Sequence, residues 1–463
     1  MQRDRMGFRS RILFGRDMGY GGQSVVTKGF RSRILFGRDS GPESYSGGIR
    51  DSGGAKYYIQ KYIITFFVLL YIPLTPCQAQ DTQFVYNFIK YDADTISNAN
   101  TLDSLFAKLL RIENGSGEVV NIFHIGDSHI QGDFFSGECR YLMQQKFGNA
   151  GRGMVFPYKA AKTSGPQDYR TSFGGVWQTN KAILPIKENT NGISGFSIST
   201  KQNGAYVLFD MKGCDSVNTY LTQTLLIPKD NHGYQYKLNI KDWTNDQLYK
   251  VNYTDDDKLP YHIVQFDKPT CKWGLEFEGS GQDQFVLHGV VALNKQSGIL
   301  YHNIGVNGIQ AHQYCNNPDV FTQTFSLKPD LIIISLGTNE AQDYKKTNEE
   351  FARQLDSLVM TKAQCEGVPF LITTPMESYK WGRPNPHVAR VAEAWKTVAA
   401  NRRLPLWDLY NIAGGPYSSY QWALKGLFSR DKVHNSIKGY ALQGDLLYQA
   451  LMYHYQLYVI RPR

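Results

Sequence analysis

The spacing of apolar residues changes twice along the chain and divides it into three stretches with different predicted structures. In the first stretch, Thr101–Glu113 has the 3.6-residue period of an amphipathic helix. The mainly apolar run Val119–Ile125 lies between two glycines and predicts a buried parallel strand, although Asn121 and His124 interrupt it. We expect a second helix over Phe135–Phe147.

In the second stretch, from about Gly174 to Asn294, the helical period is absent. Short strand-like runs, most of them separated by turn residues, take its place. These runs are Ala205–Phe209, Leu221–Ile227, Tyr234–Ile240, Tyr261–Phe266, Trp273–Phe277 and Phe285–Val291. A succession of strands without intervening helices predicts a β-sandwich.

The third stretch alternates between strands and helices. The predicted strands are Asp330–Leu336, Phe370–Thr374 and Pro405–Leu409, and the predicted helices are Asn348–Lys362, Val388–Ala400 and Ile437–Tyr455. Such alternation indicates a parallel sheet with helices on both faces. We therefore predict an α/β fold whose parallel-sheet domain, residues 80–173 and 295–463, is interrupted by an inserted β-sandwich at residues 174–294.

The residues before position 80 differ in composition from the rest. The segment GFRSRILFGRD occurs twice within residues 1–55, which lack a sustained period, and we predict a disordered extension outside the working protein. Residues 56–79 have the pattern of an export signal: two lysines, the apolar run Tyr62–Leu74, and Cys77-Gln78-Ala79 before a cleavage point. The run is short of the roughly 20 residues that span a membrane, so we predict no stable membrane span in the mature form. Lipid anchoring through Cys77 and an uncleaved N-terminal anchor are the alternatives.

The formal net charge of +9 raises the question of nucleic-acid binding, but its distribution argues against such a partner. Residues 1–80 contain 12 of the 50 basic residues and 5 of the 41 acidic residues, which leaves 38 basic and 36 acidic residues in the remainder. The body of the chain is therefore nearly neutral and lacks the basic stripe that binding to a phosphate backbone requires. We predict no nucleic-acid partner.

The six cysteines give no sign of a metal site. None forms a CxxC pair or lies at metal-ligand spacing with a histidine, so we predict no metal and no cofactor. Cys214 and Cys271 could form a disulfide in an oxidising compartment, with buried free thiols as the alternative.

Four short segments carry residue types suited to acyl transfer. In chain order they are Ile125–His129, Asn303–Gly308, Leu336–Glu340 and Asp431–His434. A serine on the turn that leaves a parallel strand points into the crevice where α/β sheets bind ligands, and Gly126 permits the sharp turn. Each segment alone has an ordinary explanation as a turn, a loop or a helix cap. Together they supply a nucleophile, a glycine, an asparagine, an acid and a base, all on loops expected at one edge of the sheet.

These segments resemble the four sequence blocks of the SGNH (GDSL-like) hydrolase family, which are GDS, a glycine in a short loop, GxND and DxxH. The resemblance covers the α/β portion and implies a three-layer α/β/α domain. It places the family's nucleophile on Ser128, its glycine on Gly308, its asparagine on Asn339, its acid on Asp431 and its base on His434.

Two positions depart from the family pattern. Glu340 replaces the usual Asp of the third block, which leaves the asparagine donor intact, and His129 makes the first block GDSH rather than GDSL. The second departure recurs in some branches of the family.

The resemblance implies a role for each group. His434 would accept the hydroxyl proton of Ser128, and Asp431 would hold the imidazole in the required tautomer. The N–H groups of Ser128 and Gly308, with the side-chain amide of Asn339, would form the oxyanion hole.

Further polar and aromatic residues near these segments have two interpretations, a role in the cleft or an ordinary structural role. Those beside the blocks are His129, Gln131, His302 and His312, and for each we favour packing or surface exposure. In the segment YKWGRPNP, Trp381 and Arg383 would either face the substrate, since aromatic rings stack on sugars, or form a plain exposed turn.

The predicted export and the predicted inserted β-sandwich narrow the range of possible substrates. This layout is similar to that of bacterial peptidoglycan O-acetylesterases, in which an inserted sandwich resembling carbohydrate-binding modules packs beside the site. The resemblance therefore implies a carbohydrate-binding-like sandwich at residues 174–294. The resemblance implies a periplasmic or extracellular serine esterase that removes O-acetyl groups from peptidoglycan or another polysaccharide through an acyl-Ser128 intermediate. An O-acetylated glycan is the predicted partner. The alternatives are an exported sugar O-acetyltransferase, a non-catalytic carbohydrate-binding protein and a lipase; the complete set of functional residues argues against the second, and the lack of a long apolar lid segment against the third.

Overall fold

The computed structural model describes residues 86–185, 191–212, 220–229, 236–252, 259–343, 345–360 and 367–462. The predicted extension at 1–55 and the predicted export signal at 56–79 lie outside the described residues. Cys271 is disulfide-bonded, and Cys214, the partner considered from the sequence, also lies outside the described residues. Within the described part of the chain, no helix combines the length and the apolar character needed to cross a membrane.

A six-stranded sheet forms the centre of the α/β part. Across the sheet the strands are Ile96–Ser97, Leu406–Trp407, Phe370–Thr373, Leu331–Ser335, Val119–Gly126 and Gly298–Gly305. All neighbours pair in parallel except the edge strand Ile96–Ser97, which pairs antiparallel with Leu406–Trp407. The parallel strands are buried on both faces, which explains why their sequences are almost continuously apolar.

Helices cover both faces of this sheet. The α-helices are Asp103–Glu113, Ser128–Gln131, Phe134–Phe147, Ala311–Cys315, Pro318–Ser326, Thr338–Gln342, Asn348–Met360, His387–Asn401, Leu409–Ile412, Ser418–Leu424 and Ile437–Ile460, and 3₁₀ turns lie at Tyr91–Ala93 and Ala99–Leu102. Successive strand residues point to opposite faces of the sheet. Leu331 therefore packs in a core on one face with the helices Asp103–Glu113 and Ile437–Ile460. Ile332 packs on the other face with Asn348–Met360 and His387–Asn401. The predicted three-layer α/β/α arrangement is confirmed.

Antiparallel strands between the two halves of the α/β part form further sheets. A five-stranded sheet has the order Gln247–Asn252, Lys237–Asp242, Lys272–Glu278, Tyr206–Met211, Tyr169–Gly174. A four-stranded sheet has the order Tyr261–Thr270, Thr222–Pro228, Val290–Leu293, Gly153–Val155, and a three-stranded sheet the order Phe285–Leu287, Phe196–Thr200, Gln178–Lys181. A two-stranded hairpin joins Tyr379–Lys380 to Arg383–Pro384. The inserted β-sandwich of the predicted fold class is confirmed.

The antiparallel pairing begins upstream of the boundary predicted at residue 174. Gly153–Val155 pairs with Val290–Leu293, and Tyr169–Gly174 pairs with Tyr206–Met211. The predicted limits place Gly153–Val155 and most of Tyr169–Gly174 in the α/β part. Their strand partners lie far away along the chain, where no local period reveals the pairing. The domain limits themselves stay a prediction.

Two strand assignments differ from the sequence expectation. Gly298–Gly305 is a fully buried strand of the central sheet, whereas the sequence suggested only a glycine loop there. Within this strand the polar residues His302 and Asn303 are both buried, and the His302 ring stacks on Phe123 with ring centroids 4.0 Å apart. The predicted single strand Phe285–Val291 is split between two sheets, with Gly289 at a φ of 143° between them.

The carboxyl ends of four parallel strands meet at one edge of the central sheet. Gly126 is level with Gly305 on one side and with Ser335 on the other, and Ser335 is level with Thr373. The loops that leave these strands therefore start side by side, as ligand-binding loops do in open α/β sheets.

Candidate active site

Ser128 begins a short helix, Ser128–Gln131, immediately beyond the central strand Val119–Gly126. Asp127 caps this helix, because its side-chain oxygen accepts the His129 backbone N–H at 2.9 Å. The turn requires glycine at position 126, since a Cβ atom there would lie 2.4 Å from the Ser335 carbonyl oxygen. The sharp turn thus presents the Ser128 hydroxyl at the edge of the sheet.

The Ser128 hydroxyl is joined to a histidine and an aspartate. Ser128 Oγ lies 2.7 Å from His434 Nε2, and His434 Nδ1 lies 2.7 Å from Asp431 Oδ2. His434 comes from the loop before the last helix, 306 residues away in sequence. With the ring proton on Nδ1, the imidazole would donate to Asp431 and accept from Ser128.

The carboxylate of Asp431 is fixed by further donors. Its Oδ1 accepts the backbone N–H groups of Val433 and His434, both at 2.9 Å, and the Ser429 hydroxyl at 2.8 Å. Partial burial works to raise the pKa of Asp431, but the hydrogen bonds from His434, Val433 and Ser429 outweigh it and hold the pKa below the usual range. The group is therefore an anion at neutral pH.

Two backbone N–H groups, one on Ser128 itself and one in the glycine loop, are free to donate. Neither the Ser128 N–H nor the Gly308 N–H bonds to an acceptor in the described residues. The peptides on both sides of Gly308 are held: the Asn307 N–H donates to Gln131 Oε1 at 2.7 Å, and the Ile309 carbonyl accepts from Asn339 Nδ2 at 3.0 Å. The glycine loop is therefore fastened to the nucleophile helix at one end and to Asn339 at the other.

Gly308 has a conformation and a neighbour that both favour glycine. Its φ is +83°, in the left-handed region, and a Cβ atom would lie 2.9 Å from Ile183 Cδ1. Ile183 lies just after the antiparallel strand Gln178–Lys181, and its carbonyl accepts from Gln313 Nε2 at 3.0 Å. The inserted part of the chain thus contributes an apolar side chain to the rim of the site.

Asn339 lies at the site, but its amide hydrogens point at protein acceptors. Besides Ile309, its Nδ2 contacts Asp127 Oδ2 at 3.1 Å. Burial raises the pKa of Asp127 to about 6, against the hydrogen bond from the His129 N–H, which lowers it. Asn339 therefore links the nucleophile turn to the glycine loop, and it would reach a developing oxyanion by exchanging one of these two bonds.

Glu340, which departs from the family block, bonds to the element after the glycine loop. It is fully buried, and its Oε1 accepts the Ala311 N–H at 2.7 Å, at the start of the helix that follows the glycine loop. Burial raises the pKa of Glu340 to about 7. Its observed contact is structural: it fixes the far end of the glycine loop.

Of the other polar candidates, two lie against the nucleophile turn and hold it. Gln131 accepts from Asn307 and donates to the Ser164 carbonyl at 2.6 Å, so it positions the glycine loop and does not line an open cleft. The His129 ring centroid is 5.1 Å from that of His434, and its Nδ1 is 2.9 Å from the Tyr440 hydroxyl. Burial lowers the pKa of His129 to about 3, which keeps it neutral beside His434.

The two histidines near the glycine loop lie apart from the Ser128–His434 pair. His302 is buried, and its Nδ1 accepts the Met154 N–H at 3.1 Å. His312 is partly exposed on the short helix Ala311–Cys315. No group of three or more His, Cys, Asp or Glu side chains suited to a metal ion occurs within the described ranges.

The sequence did not indicate several groups that the structure brings to the site. Asp127 could have been recognised, because an acidic residue before a short helix is a typical N-cap. Ser429 and Tyr440 gave no local signal, and Ile183 comes from the inserted part of the chain.

The chain is similar to known proteins in sequence and in fold. Residues 272–442 match the model of the GDSL-like Lipase/Acylhydrolase family. A solved structure described as "Peptidoglycan O-acetylesterase in action" matches with a TM-score of 0.63 and 22% identity, over 76% of this chain and 96% of that chain. At this identity the likeness establishes the fold, and it extends over both the α/β part and the antiparallel insert.

Other solved structures match over less of the chain or less closely. A psychrotrophic esterase from Pseudoalteromonas sp. has a TM-score of 0.28 and 17% identity, over 35% of this chain and 80% of that chain. A salicylyl-acyltransferase from a tetracycline biosynthetic pathway has a TM-score of 0.30 and 13% identity, over 64% of this chain and 99% of that chain. Among curated proteins, none matches this sequence.

Proposed function

We propose that this chain, which is an esterase of the SGNH (GDSL-like) hydrolase family, is exported and removes O-acetyl groups from peptidoglycan or another polysaccharide. One observation carries the catalytic part of the proposal: Ser128 Oγ, the His434 ring and the Asp431 carboxylate form an unbroken chain of two 2.7 Å contacts. The Ser128 end of this chain lies at the edge of the sheet where α/β proteins bind ligands.

Each step of acyl transfer can be assigned to a group in this arrangement. Ser128 Oγ attacks the ester carbonyl carbon while its proton passes to His434 Nε2, and Asp431 stabilises the resulting imidazolium. The bond from the carbonyl carbon to the glycan oxygen then breaks, and His434 returns the proton to that oxygen. Water then attacks the acetyl-Ser128 ester while His434 takes one of its protons. The bond from the carbonyl carbon to Ser128 Oγ breaks, His434 returns the proton to Oγ, and the acetyl group leaves as acetic acid, which ionises to acetate.

The negative charge on the tetrahedral intermediate would be stabilised by the free donors beside Ser128. The N–H groups of Ser128 and Gly308 have no other acceptor in the described chain, so they can bind the oxyanion without a competing bond. Asn339 would add its amide once a bond to Asp127 or Ile309 is exchanged. A donor that is engaged mainly in the transition state raises turnover more than it lowers the KM.

The substrate and the location are supported by separate observations. The structure that matches over 76% of this chain is named a peptidoglycan O-acetylesterase. Residues 56–79 have the sequence pattern of an export signal. The disulfide at Cys271 is typical of proteins in an oxidising compartment. Together they favour an acetylated glycan of the bacterial envelope.

Labelling and acetate release test the proposal together. We expect a fluorophosphonate probe to label the wild-type enzyme and not the Ser128→Ala variant, because only an activated serine reacts. We expect Ser128→Ala to lower hydrolysis of an aryl acetate by at least about 10⁴-fold while its unfolding transition is unchanged. Labelling at another residue would contradict the assignment.

Release of acetate from O-acetylated peptidoglycan, acetylated xylan and other acetylated polysaccharides tests the substrate. We expect hydrolysis of at least one polymer, and a preference for acetyl over long acyl chains on aryl esters. A marked preference for long acyl chains would contradict a glycan O-acetylesterase. Transfer of the acetyl group to an oligosaccharide acceptor, in place of acetate release, would indicate an acetyltransferase.

A further inference from the structure

A small hairpin next to the site presents an unusually exposed tryptophan. Tyr379–Lys380 pairs with Arg383–Pro384, and Trp381 and Gly382 form the two-residue turn between them. The Trp381 side chain lies at the tip and is 81% exposed. Tryptophan is enriched at binding interfaces, because its ring offers a large apolar face.

The hairpin is fastened to both loops that bring functional groups to Ser128. The Tyr379 N–H donates to the Lys432 carbonyl at 2.9 Å, within the Asp431–His434 loop. The Tyr379 carbonyl accepts from Gln342 Nε2 at 3.4 Å, and Lys380 Nζ donates to the Gln342 carbonyl. Gln342 ends the helix that carries Asn339. The hairpin therefore lies at the same rim as the reacting groups and is held there.

The backbone at the tip is one that tryptophan rarely adopts. Trp381 has a φ of 51° and Gly382 a φ of 76°, so both turn residues are left-handed, as a type I′ hairpin turn requires. Asn-Gly is the preferred pair for this turn, and a bulky residue with positive φ is a genuine outlier. Such strain is typical of functional positions.

Three basic residues lie on the hairpin or against it. Lys380 Nζ lies 4.7 Å from the Trp381 ring centroid, and Arg383 is the cross-strand partner of Lys380. Lys432 Nζ lies 4.8 Å from the Tyr379 ring centroid. Acidic residues near the hairpin have other partners. Asp343, which also acts on Lys380, pairs with Lys346 at 3.2 Å, and Asp431 pairs with His434. Glu377 is buried and accepts the backbone N–H groups of Tyr417 and Ser419, both at 3.0 Å. The tip therefore combines an apolar face with positive charge.

We infer that Trp381 stacks against a sugar ring of the polymeric substrate and that Lys380, Arg383 and Lys432 bind carboxylates of that polymer. The substrate class is then an acidic O-acetylated glycan, in which carboxylate-bearing units lie within a few sugars of the acetylated one. This inference rests on the proposed function and adds a subsite to it. An aryl acetate is too small to contact Ser128 and the hairpin at the same time. Its hydrolysis therefore reports on the reacting groups alone.

The first test replaces the ring while improving the turn. Trp381→Asn creates the Asn-Gly pair that a type I′ turn prefers, so we expect the Tm to be retained or raised. We expect this variant to lower kcat/KM on an acidic O-acetylated polymer by a factor about ten times larger than any factor by which it lowers kcat/KM on an aryl acetate. Trp381→Phe should recover most of the loss on the polymer. Equal effects on both substrates would overturn the stacking role.

Trp243 provides a matched control. It is also an exposed tryptophan, at 51%, with Lys241 Nζ 4.5 Å from its ring centroid, but it lies in the antiparallel insert. We expect Trp243→Ala to leave kcat/KM unchanged on both substrates. A loss on the polymer as large as that of Trp381→Asn would assign the effect to exposed rings in general and would overturn a subsite at the hairpin.

The charge of the ligand is tested with Arg383→Gln. We expect this variant to lose about tenfold in kcat/KM on an acidic polymer at low salt, to lose much less at high salt, and to match the wild type on a neutral acetylated xylan. An equal loss on the acidic and the neutral polymer would contradict carboxylate binding.

Binding measurements separate this inference from the proposed function. Ser128→Ala, which lacks the nucleophile, is titrated with acidic O-acetylated polymer, and the titration is repeated with Ser128→Ala combined with Trp381→Asn. Weaker binding by the double variant supports the subsite even if no acetate is released by the wild type, which would refute only the esterase reaction on that polymer. Equal binding by the two proteins refutes the subsite even if acetate is released.

Discussion

At the scale of single residues, steric limits in the glycine loop favour glycine at position 308, whose backbone N–H is left free to donate. The Gly308 N–H is free because the peptides before and after it are held by Gln131 and Asn339. Its positive φ excludes most side chains, and Ile183 fills the space where a Cβ would lie. The same residue is therefore constrained by backbone conformation and by a neighbour from the insert.

Gly308→Ala tests this constraint. The new methyl group would meet Ile183 Cδ1 and force a left-handed alanine, which costs about 1–2 kcal/mol of stability. We expect kcat on an aryl acetate to fall about 10- to 100-fold, because the N–H would be displaced from the oxyanion. The measurement is steady-state kinetics with a Tm for each variant.

Gly204→Ala is the control for backbone strain. Gly204 has a φ of +75° and open space around its Cβ position, and it lies in the antiparallel insert. We expect a similar loss of stability and no change in kcat. If both variants lost activity equally, the loss would reflect general destabilisation, and the placement of the Gly308 donor would be contradicted.

At the scale of elements, a buried cluster of charges joins the nucleophile region to the antiparallel sheets. Arg140 and Arg152 both bond to Asp133 and Asp168, and Arg152 also donates to Asn303 at 2.7 Å. Burial works to raise the pKa of Asp133, but the two guanidinium groups outweigh it and lower the pKa. The cluster is neutral as a whole, and it connects elements that are distant in sequence.

We expect Arg152→Met to be strongly destabilising. The Arg152 side chain is fully buried, and its removal would leave Asp133 and Asp168 with one guanidinium between them. Breaking a buried pair in this way typically costs about 3–5 kcal/mol. Urea unfolding measures the difference.

Arg402→Met is the control at the surface. It removes a salt bridge to the exposed Asp356, 2.7 Å away, and the expected cost is below about 1 kcal/mol. Similar losses in the two variants would contradict a structural role for the cluster.

At the scale of the whole molecule, two sets of buried groups give stability opposite dependences on pH. Burial lowers the pKa of three histidines from 6.5 to about 3; they are His124, His129 and His302. Because the unfolded chain binds these protons first, the histidines destabilise the fold as the pH falls below about 6.5. Burial also raises the pKa of three carboxyls, to about 7, 6 and 7; they are Asp94, Asp127 and Glu340. These carboxyls bind protons first in the folded state, so they stabilise the fold as the pH falls.

The two sets offset each other between about pH 7 and pH 5, and a single substitution should expose one of them. In Glu340→Gln the acid-stabilising contribution is gone, so lowering the pH from 7 to 5 should cost about 2 kcal/mol more than in the wild type. In His302→Gln the expected change has the opposite sign. Urea unfolding at both pH values measures these differences. Parallel pH dependences in wild type and Glu340→Gln would show that Glu340 is ionised normally in the folded state.

The sequence by itself determined the fold class and the identity of the candidate catalytic groups. Apolar periods of 3.6 residues and buried apolar runs are local signals, and they were sufficient to predict the strand Leu331–Ser335 and the three longest helices after it. These helices are Asn348–Met360, His387–Asn401 and Ile437–Ile460. The four sequence blocks singled out Ser128, Asn339 and His434 as candidates, because they supply residue types suited to acyl transfer and resemble the blocks of the SGNH family.

Only the tertiary structure decided how those groups are held. The strand Gly298–Gly305 was missed because its polar residues are satisfied by partners distant in sequence, such as Arg152 for Asn303. Ile183 contacts Gly308 across more than a hundred residues, and no local pattern encodes such a contact. The hydrogen bonds of Asn339 to Asp127 and Ile309 likewise depend on three loops meeting at one sheet edge. Periodicity reports burial along one element, whereas a contact between distant elements exists only after their packing has fixed their relative positions.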